Sequence, residues 1–235
     1  MGSFARTGRV VGGLLLLQLA GLIVPFILLQ PLTGSPQAYL AGAAGAAMQI
    51  KLAVLLLFLN GVLTVGLSIV MYGVERDRRE PLSLALLAAS VVMLLLQAVD
   101  NAHILTMLSL SEQVAGAAGP AAPYGALATM AATTRRWVHY TELLAIDGWI
   151  LLLYVTLQRL GLVPRELTML GVLTVLLHLV AIPLRRFAGA SPITWMGVPM
   201  AFSHVLLGAW LVAKGFSLHH RPRGAIARDA EPRPA

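Results

Sequence analysis

Apolar runs of about 20 residues, the length an α-helix needs to cross a bilayer, recur along this chain. They read as six spans, over about 10–29, 48–72, 82–108, 136–158, 166–184 and 195–213. A backbone in hydrocarbon has no water to bond to, so each run must satisfy its own N–H and C=O groups as a helix. The chain is 58% hydrophobic and 11% charged. A soluble domain carries roughly 25% charged residues, so a water-soluble fold is excluded. The expected fold class is all-α: a polytopic membrane helical bundle of six transmembrane helices. Residues 1–216 form its one domain. Residues 217–235 form a basic, Pro-containing cytoplasmic tail without fixed structure. A basic lead with Arg6 and Arg9 before the first run resembles a signal peptide. However, the run is of full span length and no small-residue cleavage site follows it, so it reads as a retained first helix.

The basic residues orient the bundle. The N-terminal lead, the 75–80 turn, the 159–165 turn and the C-terminal end from Lys214 hold 12 of the 17 Lys and Arg. Cytoplasmic loops carry the excess of Lys and Arg, so both termini are expected in the cytoplasm. The formal net charge of +7 has the same cause, and nucleic acid is not an expected partner. The lipid bilayer is the expected partner, with a membrane complex or a homo-oligomer beside it. Arginine outnumbers lysine 15 to 2, which points to a GC-rich bacterial genome and a bacterial cytoplasmic membrane. The absence of cysteine removes thiolate ligands and thiol nucleophiles.

Connections differ in character. Residues 30–47 are uncharged and rich in Gly, Ala and Pro, and read as a loop or a partly re-entrant segment. Residues 109–134 form the longest connection and carry no clear helical period. No internal repeat is visible, so the inverted-repeat plan of many transporters has no support.

Ionisable groups inside a bilayer are expensive and mark functional sites by default. On the expected topology, Asp100 and His103 lie toward the outer end of the third span. His139 and Glu142 lie in the first turns of the fourth, His178 in the outer third of the fifth and His204 in the sixth. Four histidines from four helices thus share one depth. Asp100 with His103, and His139 with Glu142, are spaced i,i+3 and share a helix face. Imidazole and carboxylate together suit a transition metal, with His103, His139, His178, His204, Asp100 and Glu142 as candidate ligands. Alternatively, two inward histidines ligate a b-type haem, with Arg135, Arg136, Arg185 and Arg186 on the rim for its propionates. An intramembrane hydrolase or lipid-modifying enzyme would use a metal-bound water with Glu142 or Asp100 as base. A structural subunit would use the same polar residues as interhelical contacts. Under that reading the arginines are interfacial anchors. Neither GxSxG, HExxH nor a P-loop pattern is present.

Gly161-Leu-Val-Pro-Arg165, Leu167, Gly171, Pro199, Gly208, Trp210-Leu211 and Lys214-Gly215-Phe216 carry a resemblance. The Arg9–Leu17 start, Asn60 and the Leu108–Gln113 segment extend it over roughly residues 6–216. These residues resemble an uncharacterised bacterial membrane family, the domain of unknown function numbered four-three-eight-six. The resemblance implies a six-helix membrane bundle and no established activity. The chain departs from that pattern at His204, where the family usually has glutamate. It also lacks a clear counterpart of the family's Arg-x-x-Glu in the third span.

Overall fold

The computed structural model describes residues 2–75, 81–116, 124–187 and 196–217. Among these the chain is helical with no strand. The helices are α1 (Gly2–Leu28), α2 (Pro36–Gly42), α3 (Ala47–Glu75), α4 (Pro81–Gly116), α5 (Tyr124–Arg159), α6 (Arg165–Phe187) and α7 (Val198–Lys214). Five stretches are long and apolar enough to cross a membrane: Ser3–Leu28, Pro36–Val74, Pro81–Gly116, Tyr124–Arg159 and Arg165–Arg185. Val198–Lys214 is a shorter apolar helix. Large apolar side chains such as Leu17, Phe26, Leu55, Leu95, Leu173 and Phe202 lie exposed around the outside. A soluble protein would bury such a surface, and a lipid bilayer accommodates it.

The long helices close a ring. Helix α1 packs on α3, α3 on α4, α4 on α5, α5 on α6, α6 on α7, and α7 back on α1. Each link joins chain neighbours except the last, which brings the two ends of the fold together. Small residues make that closure. A Cβ on Gly12 would lie 2.8 Å from the Gly208 carbonyl oxygen, and one on Gly8 would meet the Phe216 backbone. In lipid the apolar effect does not drive helices together, so close backbone approach through small residues must supply the packing. The rings of Phe4 and Phe216 meet at a tilt, with centroids 5.6 Å apart. Gly215, at φ +71°, ends α7 and lies against Ala5.

Two apolar clusters fill the ring at different levels. One gathers Leu15, Met71, Leu86, Trp149, Leu153 and Leu211 at the end where α1 begins. The other gathers Leu32, Tyr39, Ile50, Ile104, Met107 and Ala128 at the opposite end. Polar bonds stitch the helices: Gln18 Nε2 donates to Thr64 Oγ1 at 2.6 Å, and Trp149 Nε1 to Ser68 Oγ at 2.9 Å. Trp149 is fully buried and is a core residue.

Helix is more extensive than the apolar pattern suggests. The segment expected as a loop or partly re-entrant stretch contains α2, capped by Ser35 Oγ on the Ala38 amide and flanked by 3-10 turns. The stretch expected to be a long connection is helical through Gly116 and again from Tyr124. Its alanines favour helix, and tertiary contact supplies what periodicity lacks. Tyr39 Oη donates to the Ala128 carbonyl at 3.0 Å. Ser111 Oγ donates to the Leu40 carbonyl and accepts from the Ala44 amide. Helix α2 is thus pinned across the ends of α4 and α5. At 36 residues each, these two helices run for about 54 Å, well beyond a hydrocarbon core of about 30 Å. The charged turn at 76–80, Trp195 and the tail from Leu218, with its His219–His220 pair, lie outside the described residues.

Candidate functional site

Helices α4 and α5 are antiparallel, and the connection between them centres near residue 120. Asp100 stands 17 residues before 117, and His139 stands 16 after 123, so the two meet at one level. Glu142 follows His139 by one turn. The result is a compact group: one ligand atom each from Asp100, His139 and Glu142 lies within 4.8 Å of the others. His139 Nδ1 is 3.2 Å from Glu142 Oε2 and 3.8 Å from Asp100 Oδ2. Arg135, one turn earlier on α5, places Nη2 3.5 Å from the same Asp100 oxygen.

Burial separates the four. The side chains of Asp100 and Glu142 are 2% and 3% exposed, whereas that of His139 is 45% exposed. The carboxylates are therefore shielded, while the imidazole opens the group to the surroundings. Two polar atoms stay unpartnered despite burial: Asp100 Oδ1 and Arg135 Nε. Buried polar atoms are nearly always hydrogen-bonded, so these orphans mark places where a ligand fits.

The donor set fits a dication. One imidazole and two carboxylates suit zinc, manganese or iron(II). Zinc bonds of about 2.0–2.1 Å put neighbouring ligand atoms roughly 3.3 Å apart in a tetrahedron. The 3.2 and 3.8 Å separations lie close to that edge.

The histidines do not form a single group. His178 Nδ1 lies 2.8 and 2.9 Å from the two carboxylate oxygens of Asp147. His204 is buried on α7 with Nδ1 unpartnered, and its ring stands edge-on to Tyr154 at 6.4 Å. His103 is half-buried on α4 and has no part in the carboxylate group. Arg136 and Arg185 are exposed. The side chain of Arg186 lies outside the described residues. Beside His204 a hydroxyl chain links three helices: Tyr154 Oη reaches Ser203 Oγ at 3.4 Å, and Ser203 Oγ is 2.9 Å from Thr174 Oγ1.

Asp147 is the residue that sequence reasoning left out. Counting would have found it. Asp147 stands 15 residues before Leu162 and His178 stands 15 after Val163, so the short turn puts them level on antiparallel helices.

A helical membrane bundle with a buried Asp–His–Glu group between two of its helices is the class this fold and site define. Over residues 10–215 the chain matches the model of the family described as Domain of unknown function (DUF4386), and it belongs to that family. No curated protein and no solved structure matches the chain. Two glycines within the matched range serve the backbone. Gly161, at φ +63°, closes α5: its amide bonds to the Gln158 carbonyl, and the Leu162 amide to that of Leu157. This is the Schellman arrangement, which suits glycine in the left-handed region. A Cβ on Gly171 would lie 2.1 Å from the Tyr154 ring, so glycine sets the α5–α6 contact there.

Proposed function

We propose that this protein is a metal-binding membrane protein that holds one dication through Asp100, His139 and Glu142. The observation that carries the reading is the convergence of three ligand atoms within 4.8 Å, together with the buried, unpartnered Asp100 Oδ1. The ligands come from two helices, so the ion would clamp α4 to α5. It would also leave a coordination position on the half-exposed side of His139, where a water or a substrate oxygen can bind.

In this reading α7 is the sixth span and both termini face the cytoplasm of a bacterial cell. The contact between Phe4 and Phe216 supports this, because six spans with both ends on one side would bring these two rings together. The charge distribution supports the assignment of that side.

A structural role is the second reading, and the contacts within the group favour it. Arg135 lies beside Asp100 and His139 beside Glu142, a polar network that links the side chains without any ion. Such a network would hold α4 to α5 within a larger membrane assembly. Metal analysis of the purified full chain separates the two. One zinc, manganese or iron per chain, lost in Asp100→Asn and Glu142→Gln, supports the metal site. No stoichiometric metal after incubation with each ion, followed by desalting, overturns it. A Soret band in the purified protein would instead revive haem ligation.

A further inference from the structure

We propose that the Asp100–His139–Glu142 site, once it holds its dication, also takes a phosphate-type anion, gripped by Arg135; this rests on the metal reading above. Arg135 is under-used where it stands. A guanidinium offers five donors in a planar fork. Here its one ion pair is a 3.5 Å approach of Nη2 to Asp100, and its buried Nε has no hydrogen-bond partner. That Nε is fully buried, so bulk water cannot satisfy it.

Charge points the same way. A dication held by the two carboxylates takes up their charge, which leaves the Arg135 guanidinium beside it without a counter-ion. An anion bound next to the metal would balance it. Phosphate fits both neighbours: one oxygen completes the metal's open position and two others accept from the guanidinium fork. The exposed flank of His139 gives the anion its path in. Arg135 opens the apolar run of α5, and on the expected topology that end of the run faces the membrane interface, which lipid headgroups and dissolved phosphate both reach.

The experiment uses the full chain in detergent, loaded with zinc and desalted, and titrates inorganic phosphate by calorimetry. Metal content and thermal stability are read on the same samples. The wild type is expected to bind phosphate when zinc-loaded. Arg135→Gln is expected to keep its zinc and lose phosphate affinity by at least about tenfold, the scale of a lost charge-assisted bond. Arg135→Lys keeps the charge without the fork and should fall between them, which guards against a folding defect in the first variant. Acetate at equal concentration should not compete. Nanodiscs of phosphatidylcholine with and without phosphatidic acid then separate the sources. Displacement of phosphate only by phosphatidic acid assigns the site to a lipid headgroup, and absence of displacement assigns it to free phosphate. Zinc binding without phosphate binding, or phosphate binding indifferent to Arg135, overturns this inference and leaves the metal site standing. Phosphate binding that depends on Arg135 in a chain that holds no zinc overturns the metal reading instead, and with it the proposed partnership of anion and metal.

Discussion

Helix α5 carries two carboxylate–imidazole sites, five residues apart, and they are built in opposite ways. Five residues turn a helix by roughly 140° beyond a full circle, so Glu142 serves the α4 side and Asp147 the α6 side. At the α6 side a single imidazole nitrogen faces both oxygens of a fully buried carboxylate. Neither carboxylate oxygen of Asp147 is unpartnered there. At the α4 side two carboxylates, an imidazole and a guanidinium crowd together, yet an oxygen of Asp100 and a nitrogen of Arg135 remain unpartnered. The presence of histidine and acid is common to both sites. What differs is satisfaction: a closed pair locks helices together, whereas an under-satisfied group has capacity for a ligand.

The largest effect is expected at the closed pair. His178→Ala would strand the Asp147 carboxylate in the core, at a cost of about 3–5 kcal/mol for a buried pair broken on one side. Unfolding in sodium dodecyl sulfate would read that loss, and metal content should not change. An equal loss of metal would show that the sites are coupled. Next in size is Glu142→Gln at the open group. It should weaken metal binding by more than the roughly 10–100-fold typical of an outer-shell partner. Its effect on stability should be smaller than that of His178→Ala, because the hydrogen bond of Glu142 goes to His139, which is half-exposed.

Gly171→Ala probes the contrast without touching either site. The added methyl would press on the Tyr154 ring at the α5–α6 interface. Overpacking of this kind costs about 1–3 kcal/mol. Stability should fall while metal content is retained. The smallest effect is expected for Tyr39→Phe, which deletes one bond from α2 to the Ala128 carbonyl. Interhelical hydrogen bonds in membranes average about 0.6 kcal/mol, so a loss near that value would make α2 a light strap across α4 and α5. A loss several times larger would make it a structural part of the open site's end of the bundle.

Much of this architecture is legible in the residues themselves. Helical class and membrane setting follow from the apolar runs. The i,i+3 spacing of His139 and Glu142, with Asp100 one helix away, marks the open group in the sequence alone. The grouping of four histidines by depth fails for a geometric reason. Residues at one level of a helical ring point to different neighbours, and depth says nothing about the angle around each helix. His178 turns to Asp147 and His204 to Tyr154. Levels counted from the 160–164 turn give the Asp147–His178 pair. Its bidentate geometry depends on side-chain rotamers, which residue spacing does not set. The helical ends of α4 and α5 are hidden because Ala and Gly carry no period. Their order comes from Tyr39 and Ser111, which bond across a gap in sequence of 89 and 71 residues.

Metal stoichiometry distinguishes the open group from the closed pair in a single comparison. The full chain, an Asp100→Asn/Glu142→Gln double variant and an Asp147→Asn variant are each incubated with zinc, desalted and analysed for bound metal. One zinc per chain is expected in the wild type and in Asp147→Asn, and none in the double variant. Zinc retained by the double variant and lost from Asp147→Asn, or absent from all three, would refute the assignment of the metal to the open group.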